Sequence, residues 1–104
     1  MAKNFLMLAL LVLLGSAAQT SLAAEASITQ GKQLFNDHTL GDTLNPTSCN
    51  SCHPGGKGLE KAGARKDLAA MINTCIEQAL QGKKLDEHSQ EMESLVLYIR
   101  SLEK

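Results

Sequence analysis

The stretch Cys49-Asn50-Ser51-Cys52-His53 decides how this chain is to be read. Two thiols stand one short turn apart, and an imidazole follows the second directly. Covalent haem attachment has those three requirements: two thiols to add to the porphyrin vinyl groups, and an adjacent His to swing its ring onto the iron. A zinc site would want two more Cys or His ligands at similarly close spacing, and no second pair occurs. A thioredoxin-type C-x-x-C belongs in a βαβ context, which is missing here. The motif thus marks Cys49 and Cys52 as thioether carriers of one haem c and His53 as its proximal axial ligand.

Ahead of the motif, Lys3 precedes an apolar run of ten residues, Phe5 to Leu14. Small residues follow, and Ser21-Leu22-Ala23 and Ala24-Glu25-Ala26 both suit signal peptidase. This pattern predicts a secretory signal peptide over residues 1–24 and a single domain over 25–104. The apolar run falls well short of the roughly 18–20 residues of a bilayer span, so no membrane anchor is expected after cleavage. Export to the periplasm agrees with the motif, because haem is attached outside the cytoplasm. The remaining 80 residues lie near the lower size at which a chain buries enough core unaided, and a bound haem is the natural staple. Loss of Lys3 leaves nine Lys and Arg against eleven Asp and Glu, a net charge of −2. Nucleic-acid binding calls for a basic balance and is not expected.

Helical periodicity organises the rest. Ser27 reads as an N-cap before Ile28, Gly31, Leu34 and Phe35. Residues 36–48 are dense in turn formers, and Pro54-Gly55-Gly56-Lys57-Gly58 is a second loop. From Lys66 to Gln81 apolar residues recur at helical spacing over about half the circumference, with Gly82 as the stop. Ser89 opens a final helix in which Met92, Leu95, Val96, Ile99 and Leu102 share a face. Nothing reads as a strand. The expected fold is all-α, three to four helices with long loops wrapped around the cofactor.

Gly31-Lys32-Gln33-Leu34-Phe35 and Leu95-Val96-Leu97-Tyr98-Ile99-Arg100-Ser101-Leu102 resemble the N- and C-terminal helices of the monohaem class I cytochromes c. The resemblance spans residues 25–104. It implies a class I cytochrome c-like fold, with Tyr98 packing across Gly31 and Phe35, and a haem gripped between loops with one edge exposed. It also implies a carrier of single electrons between redox partner proteins, not an enzyme.

The sixth iron ligand is open. Class I cytochromes use a Met on a loop ahead of the last helix, and this chain departs from that pattern. Met92 lies inside the last helix and reads as core, while His88 and His38 read as surface residues. Met71 and Cys75, four residues apart on the middle helix, are the distal candidates, Cys75 first and Met71 as the alternative. Two thioethers leave Cys75 as the odd thiol in an oxidising compartment. A Cys75–Cys75 bridge between chains would need an exposed thiol, against its place on the apolar face, so a monomer is expected.

Met71-Ile72-Asn73-Thr74-Cys75, with Gly82-Lys83-Lys84-Leu85 and Ser89-Gln90-Glu91-Met92, also resembles a stretch of thiosulfate dehydrogenases and sulfur-oxidising cytochromes. There an R-x-N-x-C segment supplies a Cys ligand, and its Arg binds the oxyanion. Here Met71 stands at the Arg position, Arg65 is too far upstream to match, and a second haem motif is missing. This second resemblance implies reduced-sulfur oxidation with Cys75 as distal ligand. A weaker likeness to oxygen-binding cytochromes with an Asn ligand points instead to Asn73 and to binding of a small ligand.

Overall fold

In the computed structural model, which describes residues 25–104, Ser27 starts the first helix by accepting the Gln30 N–H at 3.0 Å. That helix, α1, runs Ile28–Phe35. At the other end of the chain, Ser89 accepts the Met92 N–H at 3.2 Å and opens α4, Gln90–Ser101. Both caps sit where the sequence places them. The expected signal peptide, residues 1–24, lies outside the described residues.

Helices α1 and α4 pack against each other through a position without a side chain. A Cβ on Gly31 would overlap the Ser94 carbonyl and lie 2.7 Å from Tyr98 Cβ. Glycine there lets the two backbones approach, and beside them the Phe35 and Tyr98 rings meet edge-on, centroids 5.1 Å apart. A pair of that geometry adds about 0.5–1.5 kcal/mol beyond its area. A polar knot closes the same crossing. The buried Ser94 hydroxyl accepts the Ser27 N–H at 3.1 Å and donates to Gln30 Oε1 at 3.0 Å, while Gln90 Nε2 donates to the same oxygen.

The motif itself forms a single helical turn, α2, Cys49–Cys52. The middle helix, α3, runs Leu68–Gln78, shorter at both ends than the periodicity predicts. At its start Asp67 has non-helical φ and ψ and holds Arg65 through two hydrogen bonds. At its end the Ala79 and Leu80 N–H groups both donate to the Cys75 carbonyl, and Gln81 takes the left-handed conformation. Gly82 is therefore not the left-handed stop. Its missing side chain serves a close approach instead, since a Cβ there would lie 2.9 Å from the Gly41 carbonyl oxygen.

That approach belongs to a seam. The loop after α1 is tied to the segment after α3 by Lys83 N–H to the Gly41 carbonyl at 2.7 Å, by the Thr43 hydroxyl to the Leu80 carbonyl, and by Asn45 Nδ2 to Gln81 Oε1. Leu68, Ile72, Ile76 and Leu80 join Phe35, Met92, Leu95, Tyr98 and Ile99 in one buried core. Among the described residues there is no strand, so residues 25–104 are all-α, as expected. No helix of the described residues is long and apolar enough to cross a membrane.

Candidate functional site: a cysteine- and histidine-lined cavity

The apolar face of α3, continued by Ala79 and Leu80 just beyond its end, divides into two stripes. Leu68, Ile72, Ile76 and Leu80 are buried in the core, whereas Met71 is half-buried and Cys75 and Ala79 are exposed. The periodicity marks half the circumference as apolar, and the core needs only part of it. Met71, Cys75 and Ala79 line a cavity of about 410 Å³, whose wall Leu68, Ile72 and Leu80 also reach from the core; its volume is within the roughly 300–1,000 Å³ of small-molecule and cofactor sites. Cys49, Cys52 and His53 line it too, with Phe35, Leu59, Leu95 and Ile99 among its apolar walls.

Exposure of Cys75 corrects one sequence-based expectation. The thiol is on the apolar face yet accessible, so burial no longer argues against a Cys75–Cys75 bridge between chains.

The loop after the motif fixes the imidazole. His53 N–H closes the α2 turn on the Cys49 carbonyl at 2.9 Å, and the His53 carbonyl then accepts the Gly56 N–H at 2.8 Å. Asn50 Oδ1 accepts the Gly55 N–H at 2.8 Å, so a residue between the two cysteines also holds the return. Gly56 and Gly58 both have positive φ, at 82° and 91°, which turns the chain back beneath the ring. There the Lys57 carbonyl oxygen lies 3.0 Å from His53 Nδ1. A carbonyl only accepts, so Nδ1 carries the proton, and in the neutral ring Nε2 keeps a free lone pair. This is the arrangement that orients a metal-binding histidine.

The thiols differ in setting. Burial pushes the Cys49 thiol up to about 11, and the neighbouring Cys75 and Cys52 thiols push the same way. Cys49 is thus protonated at neutral pH, whereas Cys52 and Cys75 are exposed.

The remaining candidates lie elsewhere. Met92 is fully buried in the core. His38 is exposed, with Nδ1 3.0 Å from the Pro46 carbonyl, and His88 is exposed as expected. Asn73 is buried and committed: Nδ2 donates to the Leu85 carbonyl and Oδ1 accepts the Leu85 N–H, both at 2.8 Å. It ties α3 to the segment before α4 and is not among the cavity residues. Its place in the N-x-C pattern thus has a structural cause here. Arg65, distant from Cys75 in sequence, does line the cavity with Lys61, although its guanidinium is held by Asp67. Sequence spacing missed both cations and the Lys57 carbonyl; the glycine-rich loop directly after His53 was the signal for the last.

Comparison with family models, curated proteins and solved structures found no match.

Among the described residues no cluster of three or more His, Cys, Asp or Glu side chains is arranged to hold a metal ion. A covalently bound haem asks less of the chain: two thiols, one oriented imidazole, apolar walls, and at most one further donor. Cys49, Cys52, His53 and the α3 stripe fit that demand.

Proposed function

We propose that this chain is a periplasmic monohaem c-type cytochrome with a class I-like fold, carrying single electrons between redox partner proteins. The observation that carries the reading is the meeting of Cys49, Cys52 and a His53 ring with its Nε2 free in one largely apolar cavity. Cys49 and Cys52 would hold the haem by thioethers and His53 would bind its iron. When bound, the haem supplies a one-electron couple at iron. The chain's own residues do the rest: the Lys57 carbonyl fixes the imidazole, Phe35, Leu59, Leu95 and Ile99 exclude water, and α3 brings sulfur to the cavity. Cys75 would supply a further donor to the iron, with Met71 one turn away as the alternative.

A redox titration followed by the visible spectrum tests this. The reading requires a reversible transition with the slope of one electron. No reversible transition in protein carrying haem would count against a carrier. The second reading, reduced-sulfur oxidation, draws on the accessibility of the Cys75 thiol in a cavity that Lys61 and Arg65 also line. Turnover of thiosulfate with an artificial electron acceptor, lost in Cys75→Ser, would favour it over the carrier.

A further inference from the structure

Three free thiols line one cavity. Cys49 and Cys52 come from α2, and Cys75 reaches the same cavity from α3. Haem attachment would consume the first two and leave Cys75 single, yet until then all three thiols share the oxidising compartment of the proposed function. Cys49 is the pivot. It packs against the core, and the charge of Cys75 acts on it more strongly than that of Cys52, although Cys52 stands on the same helical turn. A charge acts less as distance grows, so the thiol across the cavity is as near a neighbour to Cys49 as the thiol within the motif.

Geometry separates these two partners. A helix holds Cβ atoms three residues apart at about 5–6 Å, whereas a disulfide takes about 3.5–4.5 Å. A Cys49–Cys52 bond must therefore distort α2. That turn is closed by His53 N–H on the Cys49 carbonyl at 2.9 Å and locked by the capping box of Ser48 and Ser51. A Cys49–Cys75 bond joins two separate elements and leaves the turn whole. We infer that Cys49 and Cys75 are a disulfide site of the chain before haem attachment, tying α2 to α3 across the cavity until a reductant frees Cys49. The bond itself stands without the haem reading; its competition with attachment rests on that reading. It also has a structural use. A chain this small needs a staple, and a bond between positions 49 and 75 constrains the unfolded chain over that whole span.

The oxidant is a disulfide, RSSR, of a small thiol or a thiol oxidase. The exposed Cys75, as thiolate, attacks one of its sulfurs and expels RS⁻. Cys49 then gives up its proton and attacks the Cys75 sulfur, expelling the second RS⁻. The two cysteines lose two electrons and two protons, RSSR becomes two RSH, and one S–S bond replaces another.

The test uses the exported chain recovered without haem from a host that lacks the attachment machinery. It is equilibrated with oxidised glutathione, blocked with N-ethylmaleimide and cut with trypsin. Cys49 and Cys52 fall in peptide 33–57, and Cys75 falls in 67–83. The expected product is these two peptides joined, with maleimide on Cys52, from a chain that runs as a monomer without reductant. Cys52→Ser keeps the joined peptides, Cys49→Ser lowers them about tenfold, and oxidation in guanidinium loses the preference. A bond within 33–57, a Cys75–Cys75 dimer, or three maleimide-labelled thiols overturns the inference.

A second measurement offers haem to the oxidised chain, with and without dithiothreitol, and reads covalent attachment from the pyridine haemochrome spectrum. Attachment without reductant must be at least about tenfold lower. Equal attachment to both overturns the competition. Joined peptides in a chain that attaches no haem even when reduced support the disulfide site while the haem reading falls. Haem attachment in a chain that never yields joined peptides overturns the disulfide site alone.

Discussion

His53 Nδ1 and the Lys57 carbonyl oxygen are 3.0 Å apart, and that contact sets which nitrogen of the ring is left to bind. It exists because the backbone turns back through glycines, Gly58 at φ 91° among them. A Cβ at Gly58 would meet His53 only at ordinary distance, 3.5 Å from Nδ1, so the requirement is for the conformation and not for space. Gly58→Ala should therefore cost about 1–2 kcal/mol in denaturant unfolding of the haem-loaded protein, and should perturb the axial histidine signals in its NMR spectrum. Unchanged stability and spectrum would show that the loop does not orient the ring.

The α1–α4 crossing gives a second prediction. Gly31→Ala forces a Cβ against the Ser94 carbonyl and Tyr98, and backbone cannot step aside as a flexible side chain does. Tyr98→Ala removes the ring that meets Phe35 and should cost about 3–5 kcal/mol. Tyr98→Phe keeps the ring and should cost far less. Equilibrium unfolding checks that Gly31→Ala is destabilising and that Tyr98→Ala costs more than Tyr98→Phe.

Asn73 separates a structural role from a ligand role. Asn73→Ala deletes two hydrogen bonds to Leu85 and should cost about 1–3 kcal/mol, measured by unfolding, while the visible and EPR spectra of the haem-loaded protein stay the same. A changed low-spin signal would place Asn73 on the iron instead.

The distal position is tested by three substitutions read side by side. Cys75→Ser should alter the low-spin EPR signal of the oxidised protein and raise the potential, because a thiolate donates charge to iron and a hydroxyl does so poorly. Met71→Leu should leave the oxidised signal in place if Cys75 is the donor, and remove it if Met71 is. Met92→Leu, at a fully buried core position, should leave the spectra unchanged.

Much of the architecture was legible in the sequence because it rests on local rules. Ser27 and Ser89 cap their helices by hydrogen bonds three residues long, and the apolar spacing of α4 buries Met92, Leu95 and Ile99, with Val96 and Leu102 half-buried against them. What was not legible depends on partners distant in the chain. The ends of α3 are set by Asp67 holding Arg65 and by the seam of Gly82 with Gly41, neither of which periodicity can register. The same holds within the site. The motif names Cys49, Cys52 and His53, but only the fold brings Lys61 and Arg65 to the cavity and commits Asn73 to Leu85. Cys75 shows the limit most clearly, since an apolar stripe wider than the core requires can face a cavity as readily as an interior.

The central claim is that Cys49 and Cys52 carry a haem covalently, and the intact mass of the protein tests it directly. The chain is to be expressed in a host that attaches haem to exported proteins, then denatured and extracted with acidified acetone. The expected mass is that of the mature chain plus one haem, with one thiol, that of Cys75, left to alkylate, and the bound haem is lost in the Cys49→Ala, Cys52→Ala double variant. A haem-free chain with three alkylatable thiols, obtained from that host, would contradict it.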